Sequence, residues 1–339
     1  MAGEFQIISK IRERARPGER VAVGIGDDAA VISCEGPSDL LACCDLMIEG
    51  VHFRLDWMPP DAIGRKALAV TLSDVAAMGG VPKFAMVSIA LPRASSSELA
   101  SEVMRGVIEV SEASGVSLVG GDTSGSPGAL FIDTSVIGEC ATGRAVTRAG
   151  AKPGDRIFVT GSLGASMLGL GLLQSGHRLD QFMKDDAGES ADNMIMRALL
   201  RHLSPAPRLK EGRLIGEAHI ASAMIDISDG LSGDLSHILE ESRCGAIIKA
   251  DAVPVSECVK TLAAAGMKIE PLNLALHGGE EYELLFTVSQ EKSDRLIELS
   301  KDFDEPITMI GEIVEHPGLY LDRDGQLEVL TPSGYEHQI

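Results

Sequence analysis

Short apolar runs alternate with longer amphipathic stretches along the whole chain. Phe5, Ile8 and Ile11 recur near helical spacing, which predicts a helix over residues 3–16, stopped by Pro17-Gly18. β-like runs follow at residues 21–25, 29–33 and 40–44, the last running into Asp45. A polar loop with His52 closes at Pro59-Pro60. Residues 61–78 then read as a helix that is apolar nearly all round (Ala67, Leu68, Ala69, Val70, Leu72, Val75), the pattern of a buried helix. Asp74 sits inside it, and a buried carboxylate is costly unless it is paired or binds a metal. A strand is expected at 84–91, a helix at 97–114, a run at 116–119 leading into Gly120-Gly121-Asp122-Thr123, and a strand at 130–139. The turn Ala151-Lys152-Pro153-Gly154-Asp155 restarts the pattern. After it come a strand at 156–160, a glycine-bounded start (Gly161 to Gly164) to a helix ending at 173, and a polar stretch at 174–189 that reads as an exposed insertion. Helices are expected at 191–202, 231–242, 255–265 and 291–301, and strands at 223–228, 246–250, 282–288 and 307–314. This alternation predicts an α/β (α+β) fold, with a first domain over residues 1–150 and a second over 151–339.

Composition narrows the partners. The 339 residues are 45% hydrophobic and 24% charged, a globular balance with room for two domains. A formal net charge of -20 weighs against nucleic acid or an anionic membrane as partner. Aromatics at 4% weigh against a base-stacking platform. The six cysteines form no C-x-x-C pair, so neither a zinc site nor a disulfide framework is expected. No basic-then-apolar leader and no run of about 18 apolar residues is present, so a reduced, cytoplasmic enzyme is expected.

The chemistry lies in glycine–acid clusters: Gly24-Ile25-Gly26-Asp27-Asp28, Gly120-Gly121-Asp122, Asp226-Ile227-Ser228-Asp229-Gly230 and Gly278-Gly279-Glu280-Glu281. Asp28, Asp45, Asp74, Asp122, Asp226 and Asp229 each end an apolar run or lie within one. Any one of them alone is ordinarily a turn or capping residue. Together they point to Mg²⁺ and a polyphosphate, because carboxylates hold hard cations and glycine permits close approach. Protein cations are few (Lys66, Arg144, Arg148), so several metal ions would have to neutralise the phosphates. No Gly-Lys dipeptide occurs, which excludes a P-loop, and the H-R-D and D-F-G pair of protein kinases is absent. Gly161-x-x-Gly164 is too short for a dinucleotide fingerprint. An EF-hand started at Asp226 would put His237 where the twelfth-position Glu belongs.

These motifs, with Val51-His52-Phe53, Lys66-Ala67-Leu68-Ala69-Val70, Leu72-Ser73-Asp74-Val75-Ala76-Ala77-Met78-Gly79, Gly143-Arg144-Ala145-Val146-Thr147-Arg148 and Glu280-Glu281-Tyr282-Glu283-Leu284, run in an order that resembles the thiamine-monophosphate kinases. These belong to the superfamily that includes aminoimidazole ribonucleotide synthetase and selenophosphate synthetase. The resemblance spans nearly the whole chain. It implies ATP-dependent phosphorylation of thiamine monophosphate to thiamine diphosphate. It implies several Mg²⁺ ions on Asp28, Asp45, Asp74, Asp122, Asp226 and Asp229, and ATP against Gly121, Asp122, Arg148 and Ser228. It also implies thiamine monophosphate against His52, Glu280 and Tyr335. The implied fold is a homodimer whose N-terminal strands close a barrel across both chains, each with a C-terminal α/β domain. Where the family has Ser-Thr before the Asp, this chain has Cys43-Cys44-Asp45. Cys44 therefore stands in the metal set with a thiol, a donor suited to softer metals.

No nucleophile–base pair is recognisable, and none is needed. The acceptor is a phosphate monoester with a second pKa of about 6, already ionised at neutral pH. The difficulty is bringing two anions together, which metals and positioning answer. Direct in-line transfer without a phosphoenzyme is expected. Other readings are a different ATP-dependent synthetase of the superfamily, a metal-dependent phosphohydrolase, and a non-catalytic nucleotide- or metal-binding module. Selenophosphate synthetase chemistry would need a Cys or selenocysteine with a Lys in a glycine-rich segment before Gly24, and none is there.

Overall fold

Two sheets, each backed by helices, organise the computed structural model, which describes residues 4–15, 17–93, 97–182 and 190–335. Helix α1 (Glu4–Arg14) leads in, and the first and last residues of the expected helix, Gly3 and Arg16, lie outside the described residues. The first sheet comprises β1 (Val21–Val23), β2 (Ala30–Ile32), β3 (Ser38–Ile48), β4 (Val81–Pro92), β5 (Ser117–Ser126) and β6 (Phe131–Ala141). Their order is β1-β2-β3-β6-β4-β5, antiparallel throughout except for the parallel pair β4–β5. Helices α2 (Pro60–Ala77) and α3 (Ser97–Ala113) lie across one face. Strand alternation sorts the side chains. Leu41, Met47, Ile132, Thr134 and Val136 are buried beneath α2, while Leu46, Phe84 and Met86 are exposed on the other face. Among the described residues this sheet stays open from β1 to β5, so no barrel closes within the chain.

The second sheet runs β13-β12-β9-β11-β7-β10-β8. It is built from β7 (Arg156–Thr160), β8 (Ala221–Asp226), β9 (Gly245–Lys249), β10 (Leu284–Val288), β11 (Ile307–Val314), β12 (Gly318–Arg323) and β13 (Gln326–Val329). Around it lie α4 (Ala165–Gln174), α5 (Ala191–Leu203), α6 (Leu209–Ala218), α7 (Leu231–Ser242), α8 (Glu257–Ala264), α9 (Pro271–His277) and α10 (Ser293–Leu299). The fold is thus a mixed α/β one, as the alternation of elements implies. None of the described helices is long and apolar enough to cross a membrane.

Helix α2 joins the halves. It is buried from Ala62 to Ala77 apart from Arg65 and Asp74. Its C-terminal turn meets α6, where a Cβ on Gly212 or Gly216 would lie 2.3 Å from the Ala76 oxygen or 2.2 Å from the Gly79 oxygen. On its other flank, a Cβ on Gly106 of α3 would lie 1.8 Å from the Asp61 oxygen. Backbone cannot yield there as a side chain can. Gly106→Ala is expected to lower stability by about 1–3 kcal/mol, read as a fall in melting temperature. Gly18→Ala, with nothing within 4 Å of the new methyl, serves as the unaffected control.

Three expectations change in the structure. Gly120-Gly121-Asp122 does not follow a strand but lies inside β5. The stretch over 174–189 is only partly exposed: Leu179 and Phe182 pack on the core, His177 stacks on Phe182 at 5.7 Å, and Arg178 donates to the Asp56 oxygen at 2.8 Å. Residues 183–189 lie outside the described residues. Finally α6, α9, β12 and β13 were not expected.

Candidate functional site

Three carboxylates from distant segments meet beside α2. Asp226 ends β8, Asp74 points out of α2, and Asp28 follows the turn at Gly26, whose φ of +117° suits glycine. One oxygen from each lies within 4.8 Å of the others. Asp45, on the α2 face of β3, adds a fourth, held by Thr71. Ser73 donates to Asp226 at 2.6 Å. The cation paired into this group is Arg148, whose guanidinium binds Asp28 and whose backbone N–H donates to Asp27 at 3.2 Å.

The electrostatics are those of carboxylates in excess. Burial first, then Asp45, Asp226 and Asp28, pushes Asp74 well above the usual carboxylate range. Burial followed by Asp28 pushes Asp226 up to about 7, and burial followed by Asp28 does the same for Asp27. Burial also raises Asp28 and Asp45. Asp28 Oδ2 and Asp45 Oδ2 are buried without a hydrogen-bond partner. Orphaned oxygens, raised carboxylates and an oxygen donor set fit hard divalent cations such as Mg²⁺.

The strand register separates two expected ligands from this group. Asp45 pairs with Thr134 on the α2 face, so Cys44, one residue earlier, faces the opposite side and lies near Asp133. Cys43 is the cysteine beside the acids. Its thiol reaches the Thr71 oxygen at 3.4 Å, and burial, then Asp74 and Asp45, raises it well above its usual range. Asp122 pairs with Ser88 on the outer face of edge strand β5 and is exposed. The need for glycine at 121 arises inside the sheet: a Cβ there would sit 1.9 Å from the Val87 oxygen.

Beyond β8, the loop at Ser228 and Asp229 is bracketed by two other segments. Ser228 O accepts from the Glu280 N–H at 2.6 Å, and Asp229 O accepts from the Tyr335 N–H at 3.1 Å. Asp234 braces the loop from below, accepting from the N–H groups of Asp229 (3.1 Å) and Gly230 (2.9 Å). Asp229, Asp234 and His237 form a second close group. Glu280, in left-handed backbone at φ +59°, pairs with Lys66 and His202. His52 faces it, its Nδ1 accepting from the Ile48 N–H at 3.0 Å, which leaves Nε2 as the protonated nitrogen. Burial and then Glu280 raise the Tyr335 phenol, which places that half-exposed ring beside the same carboxylate.

The other acids of this motif are structural. Glu281 accepts from the N–H groups of Gly164 (2.8 Å) and Ser166 (3.0 Å), so the start of α4 is capped from within. Glu283 takes Thr160 and Arg208, each at 2.6 Å, together with Arg201. Sequence reasoning missed the partnership of Lys66 with Glu280, although a Lys in an all-apolar helix is the same signal that marks Asp74. It also missed His202, a lone His on an amphipathic helix, where no signal distinguishes it.

The chain matches the family model "AIR synthase related protein, N-terminal domain" over residues 26–140 and "AIR synthase related protein, C-terminal domain" over residues 152–324. It is 36% identical to thiamine-monophosphate kinase of Bacillus subtilis (strain 168), over 98% of this chain and 99% of that protein. It is 37% identical to thiamine-monophosphate kinase of Escherichia coli (strain K12), over 99% and 98%. A solved structure of AaThiL complexed with AMPPCP and TMP superposes with a TM-score of 0.83 at 32% identity, covering 99% of this chain and 97% of that one.

Proposed function

The chain belongs to the thiamine-monophosphate kinase family of AIR synthase related proteins, and from that membership we infer that it transfers the γ-phosphoryl group of ATP to thiamine monophosphate. The products are thiamine diphosphate and ADP. The observation that carries the chemistry is the convergence of Asp28, Asp45, Asp74 and Asp226, two of them with orphaned buried oxygens. We assign these four as holding Mg²⁺, with Asp229 and Asp122 completing the set. Asp229 lies in the loop that follows β8. Asp122 stands apart on the outer sheet face, and its inclusion rests on the family resemblance. Mg²⁺ held by these residues would supply the positive charge that lets two phosphates approach.

The chain's own residues supply position. Arg148 is held where it can leave Asp28 for the triphosphate, Ser228 and Gly121 border the nucleotide, and the Nε2–H of His52 faces the acceptor phosphate. Glu280 and Tyr335 take the thiamine rings, a cation against a carboxylate and an aromatic face. An oxygen of the acceptor phosphate attacks the γ-phosphorus in line. The bond to the β–γ bridging oxygen breaks, and ADP departs with that electron pair. No protein group needs to remove a proton.

We place the division between domains at residues 150 and 151. A homodimer is the proposed assembly, supported by Leu46, Phe84 and Met86 exposed on the outer face of the first sheet. Magnesium dependence and a cytoplasmic location complete the reading.

A phosphohydrolase could use the same acids on water. ATP consumption measured with and without thiamine monophosphate separates the two. The kinase reading expects consumption to depend on the acceptor and to match thiamine diphosphate formed mole for mole. Acceptor-independent loss of ATP would contradict it.

A further inference from the structure

Among the described residues Lys66 is the largest fully buried side chain, a cation 1% exposed on an apolar helix. Its Nζ lies 2.9 Å from Glu280 Oε1, yet no well-directed hydrogen bond satisfies it. Across the same carboxylate, His202 Nδ1 lies 3.1 Å from Glu280 Oε2 and 3.1 Å from Ser166 Oγ. Glu280 is thus gripped from α2 in the first half of the chain and from α5 in the second. Its backbone is fixed as well, at φ +59° and by the 2.6 Å bond to Ser228 O. A strained backbone held this firmly serves the direction in which the carboxylate points. The carboxylate still keeps 26% of its side-chain surface open, beside His52 and Tyr335.

Lys66 precedes Asp74 by two turns of α2, which separates the two by about 12 Å along the helix axis. The open side of Glu280, beside His52 and Tyr335, is where a cationic ring would meet it. Burial alone favours the protonated form of a carboxyl here, and a neutral acid is a poor partner for a cationic ring.

We propose that Lys66, supported by His202, is a positioning residue that keeps Glu280 ionised and aimed at the cationic ring system of the substrate. The proposal rests on the kinase reading above. Burial pushes Glu280 up, but Lys66, the largest influence opposing it, draws it below the usual carboxylate range. His202 is itself pushed down to about 4, by burial and then by Lys66, so at neutral pH it holds Glu280 by a ring N–H and not by charge. The groups facing Glu280 are Lys66 from α2, His202 from α5, His52 from the turn after β3 and Tyr335 from the C-terminal segment, with Tyr282 beside it on its own segment.

The test is calorimetric binding of thiamine monophosphate to the full chain between pH 7 and 9, above the titration of the substrate phosphate. KM values for both substrates are measured alongside. Lys66→Met is expected to weaken thiamine monophosphate binding roughly 30-fold or more at pH 7 and to leave the KM for ATP within about threefold. Its affinity should then climb with pH by up to about tenfold per unit as Glu280 loses its proton, while the wild type stays flat. Lys66→Arg should restore most of the affinity. If Lys66→Met does not fold, Lys66→Met/Glu280→Gln removes both charges from the buried pair and carries the test. It should fold and bind weakly at every pH. Wild-type affinity in either altered protein, or equal losses for ATP and thiamine monophosphate, overturns the proposal. A wild-type chain that makes thiamine diphosphate beside an indifferent Lys66→Met ends this inference alone, whereas a wild-type chain that binds no thiamine monophosphate ends both.

Discussion

Asp74→Asn is expected to cut kcat by roughly 100-fold or more while making the metal-free protein more stable. The two effects have one cause. In the absence of metal, burial, then Asp45, Asp226 and Asp28, drives the Asp74 carboxyl well above its usual range. A carboxyl whose folded pKa is raised binds its proton more tightly in the native state. Stability is therefore lost as pH rises from its ordinary value through the folded one. Asparagine has no such proton to lose. At neutral pH the variant should melt about 1–2 °C higher without metal, the shift that about 1 kcal/mol produces in a chain of 339 residues. Added Mg²⁺ should reverse the ranking, because it binds and stabilises the wild type and no longer binds the variant well. Thermal melts with and without Mg²⁺ check this. A metal-free variant less stable than wild type would mark Asp74 as a packing residue.

Arg148→Ala should be the most destabilising single change at the site. Asp28 is nearly buried and pairs with this guanidinium, and Asp27 accepts from the Arg148 backbone. Removing one partner of a buried pair leaves the other uncompensated, at a cost of about 3–5 kcal/mol. Alanine keeps the backbone N–H, so the loss falls on Asp28. Mg²⁺ should recover part of it by supplying the missing positive charge. Activity should fall a further 100-fold or so once the fold is restored, since the triphosphate has lost a donor. Chemical denaturation with and without Mg²⁺ measures the first effect and steady-state kinetics the second. A loss of stability indifferent to Mg²⁺ would mean that no cation reaches Asp28.

Local pattern made α2 readable, and long-range hydrogen bonding hid much of the rest. Helix α2 is apolar on all sides between Pro59-Pro60 and Gly79-Gly80, so its extent and burial were plain. Helix α6 carries Gly212 and Gly216, poor helix formers present because α2 comes so close. Its first residues follow Pro205 and Pro207, and Arg208 offers no cap. Glycine misled in β5 for a related reason: Gly121 is required by the Val87 carbonyl of the neighbouring strand, a contact no local pattern encodes. Among the acids, Asp74 was conspicuous because its surroundings are apolar. Glu281 and Glu283 looked equivalent to Glu280, yet they serve a helix start and two arginines. Their partners lie about 75–123 residues away in sequence. The placement of Cys43 and Cys44 was legible in principle, since strand alternation allows only one of them to share a face with Asp45.

In the proposed reaction the acids around α2 serve direct delivery of the γ-phosphoryl group of ATP to thiamine monophosphate. A single-turnover experiment with γ-labelled ATP tests it most directly, with the enzyme in excess and Mg²⁺ present or removed. All transferred label is expected in the terminal phosphate of thiamine diphosphate, none on the protein, and no transfer without Mg²⁺. Label trapped on the protein, or released as free phosphate while thiamine monophosphate remains unchanged, would contradict it.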